Sequence, residues 1–232
     1  MIVDKIEINN QLNDKFIFFS VSLPSADRHQ NYYLNTNPLN ITNAVVSFIE
    51  SILKRNGKII FGGHPTISPL VLTVAKKFIS ILNGEKDPVR IYIYQSEMFK
   101  DKISKFTNEL LDLGIGKIIW TKSINDLREK SLYDMRVQML KEHNISAGIF
   151  IGGMEGIEEE FDLFKEIYPE TPMYLIGSSG GATKILFEKY FKDEKEWVFP
   201  WDYNIRELKN ELYKSKIYPS LAKLVMNDII SR

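Results

Sequence analysis

The chain has 232 residues, of which 44% are apolar, 26% charged and 12% aromatic. That mixture excludes a disordered, collagenous or coiled-coil chain and supplies enough apolar side chain for one sizeable core. Thirty Lys and Arg balance thirty Asp and Glu, and cysteine is absent, so disulfides, thiol catalysis and Cys-ligated zinc are excluded. No stretch concentrates Lys or Arg as a duplex-binding surface would, which argues against nucleic acid as a partner. No apolar run approaches the ~20 residues of a membrane span. Met1–Lys5 mixes charges where a signal peptide would be apolar, so the expectation is a cytoplasmic protein with no membrane partner.

Six short β-rich runs follow one another along the chain: Phe16–Phe19, Lys58–Phe61, Arg90–Tyr94, Lys117–Trp120, Ala147–Ile151 and Met173–Ile176. Most are continuously apolar, as strands covered on both faces of a parallel sheet are. Between the first two, residues 23–40 read as a long Asn-rich polar loop. Helical spacing over Ile41, Ala44, Val45, Phe48, Ile49, Ile52 and Leu53 then predicts a helix closed by Asn56-Gly57. Leu70, Val74, Phe78, Ile81 and Leu82 form a second stripe, and Met98–Leu113 and Asp126–Glu142 read as two more helices. Phe161, Phe164 and Ile167 make a short one closed by Pro169, and residues 204–213 and 217–230 read as terminal helices. Repeated β–α units of about 30 residues imply a doubly wound, mainly parallel, Rossmann-like α/β sheet with a C-terminal helical extension. The expected division is a Rossmann-like domain over 1–195, followed by an aromatic linker and helices over 196–232 that pack on it. The stretch Trp197–Tyr203 reads equally as an association surface, a lid or a core patch.

Four strand ends carry unusual residues: Ser20-Val21-Ser22, Gly62-Gly63-His64-Pro65-Thr66, Gly152-Gly153-Met154-Glu155-Gly156 and Gly177-Ser178-Ser179-Gly180-Gly181-Ala182-Thr183. Ligands of open α/β sheets bind beyond the carboxyl ends of the strands. Glycine lets a backbone approach a ligand, and a helix start points unpaired N–H groups at an anion. Ser20, Ser22, Thr66, Ser178, Ser179 and Thr183 add hydroxyl donors. One Gly-Gly would signal only a tight turn; three glycine clusters and a Ser-x-Ser on one rim point to phosphate or nucleotide binding. Walker, Gly-x-Gly-x-x-Gly and Gly-x-Ser-x-Gly motifs are absent, which disfavours a P-loop enzyme, a standard dinucleotide fold and an α/β-hydrolase. His64 is the one histidine of the rim, placed either to donate to a phosphate or to pack beneath the loop. His29 and His143 read as ordinary surface residues; with no His-x-x-x-His spacing, neither a metal site nor a cofactor is expected. Glu158-Glu159-Glu160 reads as the opening of a helix, where acids favour the dipole.

The pair Arg136-x-x-Met139, followed by Gly152-Gly153-x-x-Gly156-x-x-x-Glu160, resembles the LOG family of nucleotide N-glycosidases. The fuller set is similar to the wider SLOG superfamily, which includes DNA-processing protein A. Phe19–Pro24, Phe61–Pro69 and Phe150–Gly156 look closest to the SLOG domains associated with TIR and sirtuin-type antiviral defence proteins. The resemblance covers about residues 16–185.

In LOG enzymes the matching Arg and Glu serve hydrolysis of a nucleotide N-glycosidic bond, so Arg136 and Glu160 are the candidate catalytic residues. A carboxylate stabilises the oxocarbenium-like sugar and orients water, and an arginine fixes that carboxylate or holds a 5′-phosphate. A structural ion pair between two helices is the plain alternative. The ligand-binding candidates are Ser20, Ser22, Gly62, Gly63, His64, Thr66, Gly152, Gly153, Met154, Glu155, Gly156, Ser178, Ser179, Gly180 and Gly181. Val137 stands for the family lysine, Ile151 for the proline and Ile157 for the threonine, and one residue is inserted between the glycines. These departures match sensor domains, which recognise ADP-ribose-like or cyclic nucleotide-like signals. The resemblance thus implies a nucleotide-sensing module working with a separate effector protein and assembling as a homo-oligomer. A LOG-like phosphoribohydrolase is the alternative. A DNA-binding relative of DNA-processing protein A is disfavoured by the zero net charge.

Overall fold

The computed structural model describes residues 7–27, 30–82, 88–191 and 206–232. Its strands are β1 (Phe16–Ser22), β2 (Lys58–Gly62), β3 (Ile91–Ser96), β4 (Gly116–Thr121), β5 (Ile145–Gly152) and β6 (Met173–Ile176). They pair in the order β4-β3-β2-β1-β5-β6, and every pairing is parallel. The chain winds outward from β1 to β4, then crosses back to lay β5 on the other flank of β1. The direction of winding therefore reverses between β1 and β5, where open α/β sheets take their ligands. All six predicted strands are present, most of them longer than their apolar runs.

The helices are α1 (Gln30–Leu34), α2 (Pro38–Leu53), α3 (Ile67–Ala75), α4 (Ile79–Leu82), α5 (Lys105–Leu111), α6 (Arg128–Lys141), α7 (Glu155–Ile167), α8 (Gly181–Phe191), α9 (Arg206–Lys214) and α10 (Tyr218–Ser231). Segment 23–40 is not the continuous loop its composition predicts. It holds α1, and α2 already begins at Pro38, where the Asn37 side chain accepts from the Leu39 N–H at 2.9 Å. The helix predicted over Met98–Leu113 is two pieces. A 3₁₀ turn over Glu97–Lys102 breaks at Ile103, and Ser104 caps α5 by accepting from the Thr107 N–H. The predicted α6 and the two terminal helices lie where their spacing puts them. Trp197–Tyr203 and His29 lie outside the described residues.

The core fills both faces of the sheet. Phe18 of β1 stacks on Phe164 at 5.4 Å between ring centres and meets Phe150 edge-on at 5.7 Å. α10 packs on α2, and Asp228 on α10 accepts from the buried Tyr174 hydroxyl of β6 at 2.6 Å and from Arg232 Nε at 2.9 Å. His143 is not an ordinary surface residue: its Nε2 lies 2.8 Å from the Tyr94 hydroxyl, and its ring packs on Phe16 at 4.5 Å. Burial holds its pKa below the usual histidine value. Phe18→Ala should cost about 3–5 kcal/mol, because a fully buried ring leaves a cavity between rigid neighbours. A urea titration checks this as a lowered midpoint at unchanged slope.

Candidate functional site

With β2, β1, β5 and β6 adjacent and parallel, the four unusual strand ends come out along one edge of the sheet, as the motifs imply. They are not equally open. The Ser179 hydroxyl donates to the Ile176 carbonyl at 2.6 Å and accepts from the Gly152 N–H at 2.8 Å. Thr183 donates to the Gly152 carbonyl at 2.9 Å, and the Ala182 N–H to the Gly153 carbonyl at 2.9 Å. The β5–α7 and β6–α8 turns are thus locked together and buried. Gly180, at φ +83°, and Gly181, at φ +62°, serve this lock. A Cβ on Gly180 would fall 2.1 Å from the Asn35 carbonyl oxygen, and one on Gly181 would fall 2.6 Å from that of Gly153. What these glycines approach is protein, and the Ser179 and Thr183 hydroxyls, expected to face a ligand, are spent on the frame. Gly152, Gly153 and Met154 are buried with them. Ser22, Gly62, Gly63, His64, Thr66, Glu155, Gly156 and Ser178 remain partly or fully exposed.

At the reversal point α6 and α7 bring Arg136 and Glu160 together, although 24 residues separate them in the chain. Arg136 Nε lies 3.5 Å from Glu160 Oε1, and its Nη1 donates to the Glu159 carboxylate. The Ser20 hydroxyl donates to Glu160 Oε2 at 2.6 Å. Ser20 is only 1% exposed, so it positions Glu160 instead of offering a donor to solvent. A Cβ on Gly156 would fall 2.9 Å from Arg136 Nη2, so the glycine at this motif position leaves room for the guanidinium.

α7 starts at Glu155, so of the acidic run only Glu158 lies in its first turn. Glu159 and Glu160 share Arg136, whereas Glu158 turns to the Tyr32 hydroxyl, which donates to it at 3.1 Å. Burial, reinforced by the Glu158 charge, pushes the Tyr32 phenol up to about 12. Burial also raises the Glu160 pKa above the usual carboxylate range, outweighing the opposing pull of Arg136 and of the Ser20 hydroxyl. Tyr32 and Glu159 were not among the candidates; the acidic run was the one local signal that pointed toward them.

His64 closes the start of α3. Its Nδ1 accepts from the Thr66 N–H at 3.2 Å and from the Ile67 N–H at 3.4 Å, and its carbonyl accepts from the Ser68 N–H at 2.9 Å. The α3 amides expected to face an anion are therefore satisfied internally. No side chain caps α7. Among the described residues, no group of three or more His, Asp or Glu is arranged to hold a metal ion, and no helix is long and apolar enough to cross a membrane.

A parallel sheet wound in this order, with an Arg–Glu pair at its reversal point, defines a Rossmann-like α/β protein with its candidate ligand crevice on the β1–β5 edge. The SLOG cluster3 family model matches residues 31–209, from α1 into α9, and the chain belongs to that family. Membership associates it with the binding or processing of nucleotide-related ligands. No curated protein matches the chain significantly.

The Glu160 environment has a signature in pH. A carboxyl whose pKa is raised by folding favours the native state below its unfolded pKa, and that contribution is lost as pH rises through the folded pKa. Melting temperatures of the wild type and Glu160→Gln should therefore diverge progressively as pH rises above the ordinary Glu value of about 4. The wild type should lose ground relative to the variant as pH rises; a constant difference would contradict the burial argument.

Proposed function

We propose that the chain is a nucleotide-sensing module, which binds an ADP-ribose-like or other nucleotide signal at the rim and works through a separate effector protein without hydrolysing the ligand. The observation that carries this reading is the engagement of Glu160. One carboxylate oxygen accepts from Ser20, the other faces Arg136, and the side chain is 12% exposed. A carboxylate so held is a fixed part of the floor. Ile157, where LOG enzymes carry threonine, is 3% exposed and packs inward, so that position offers no hydroxyl to a phosphate. The uncapped start of α7 favours an anion through its dipole, and Glu155 and Glu158 stand nearby as acceptors for ribose hydroxyls.

A second reading has one observation in its favour. The raised pKa of Glu160 beside Arg136 suits proton transfer in an N-glycosidase. Incubation of the protein with nucleoside monophosphates and ADP-ribose isomers, followed by chromatography, separates the two. The sensor reading expects unchanged ligand, with a melting temperature raised by roughly 5–10 °C at a hundredfold excess over Kd. Release of free base that disappears in Glu160→Ala would establish the hydrolase instead.

A further inference from the structure

We propose that a second cavity, on the β2–β3 side of the same rim, is a nucleobase subsite; this rests on the nucleotide reading above. The cavity has a volume of about 350 Å³ and is lined by Gly63, His64, Gln95, Phe99, Lys102 and Arg128, among others. That volume lies in the range of small-ligand pockets. Of the lining residues, Gly63, His64 and Pro65 alone belong to the glycine-rich strand ends.

Gly62, which ends β2, and Gly63, which follows it, divide the rim. Successive residues along a strand face opposite sides of the sheet. A Cβ on Gly62 would lie 3.5 Å from Glu160 Oε1, whereas a Cβ on Gly63 would lie 1.8 Å from Gln95 Oε1. One peptide step thus separates the Arg136–Glu160 centre from the cavity. A single ligand lying across Gly62-Gly63 reaches both.

Gln95 identifies what the cavity takes. It is 7% exposed and lines the cavity, and among the described residues its side-chain amide forms no hydrogen bond to the protein. The polar atoms of that amide open onto the cavity and reach solvent, so a bound group of matching polarity takes the place of water there. The amide offers one acceptor beside one donor pair, the pattern that complements the hydrogen-bonding edge of a nucleobase. Phe99 supplies a ring face for stacking, and Ile103 and Leu132 supply apolar wall. The hydroxyls of Ser104 and Thr107, also in the lining, are closed on each other at 2.8 Å. Lys102 has its Nζ 5.7 Å from the centre of the Phe99 ring, and Arg128 donates to Glu129 at 2.9 Å. The lining holds these two cations and no carboxylate, so it suits a base carried on a negatively charged molecule.

The test is calorimetric titration of the full chain with the four nucleoside 5′-monophosphates and with ribose 5-phosphate. The wild type should bind at least one monophosphate more tightly than ribose 5-phosphate. Gln95→Leu should weaken that monophosphate about tenfold or more, with ribose 5-phosphate changed less than about twofold. Gln95→Asn, which keeps the amide but withdraws it by one methylene, should show the same base-selective loss and serves if the leucine variant does not fold. Equal losses for both ligands, or no loss for either, would overturn the base subsite while leaving nucleotide binding at the rim intact. A wild type that binds monophosphate and ribose 5-phosphate equally would do the same. A wild type that binds none of the five probes would overturn the subsite, and failure to bind ADP-ribose titrated alongside them would remove the nucleotide reading as well.

Discussion

The site depends on how the Gly152-Gly153 peptides are satisfied. Buried backbone groups need partners, and here the last residues of β5 turn away from the ladder. The Gly152 N–H goes to Ser179, its carbonyl accepts from Thr183, and the Gly153 carbonyl accepts from the Ala182 amide. All three partners come from the turn and helix that follow β6. This lock fixes where α7 begins, and the start of α7 fixes where Glu158, Glu159 and Glu160 point. The candidate site is therefore assembled by a contact between two turns that contributes little surface to the site itself.

On that frame sits a charge cluster with more acid than base. One guanidinium serves Glu159 and Glu160, and a serine hydroxyl serves the second oxygen of Glu160. Removing one partner from such a buried group is costly because the remaining charge keeps its desolvation penalty. The cluster thus holds α6, α7 and β1 in one arrangement. It is stiff enough to act as the floor of a binding crevice, and its chemical range is narrowed by the same bonds.

The sheet was legible because strands covered on both faces must be apolar throughout, and Ile59, Ile93, Ile149 and Leu175 obey that requirement without ambiguity. Helix starts were harder. Asn37-Pro38 is a strong start signal, but its Asn-rich context reads as loop, and the cap at Ser104 is hidden inside a longer apolar pattern. Arg136 and Glu160 were legible only through family resemblance, since nothing in the spacing of two helices says which of their side chains meet. Ser20 was found for the wrong reason: its position at a strand end was readable, its partner was not. Gln95 carries no signal in the sequence, because a side chain becomes part of a pocket through neighbours distant in sequence. The glycine clusters read as places where backbone approaches a ligand, whereas for Gly180 and Gly181 the approaching group is another stretch of this chain.

That division of the glycines sets which positions are free to change. Any side chain at Gly180 or Gly181 collides with main chain, so those positions tolerate no experiment by evolution without loss of the frame. Ser22, His64, Glu155 and Ser178 border open space on the same edge. Divergent descendants of this architecture can acquire a taste for different guests by altering the second group alone, while the scaffold that displays them is inherited untouched.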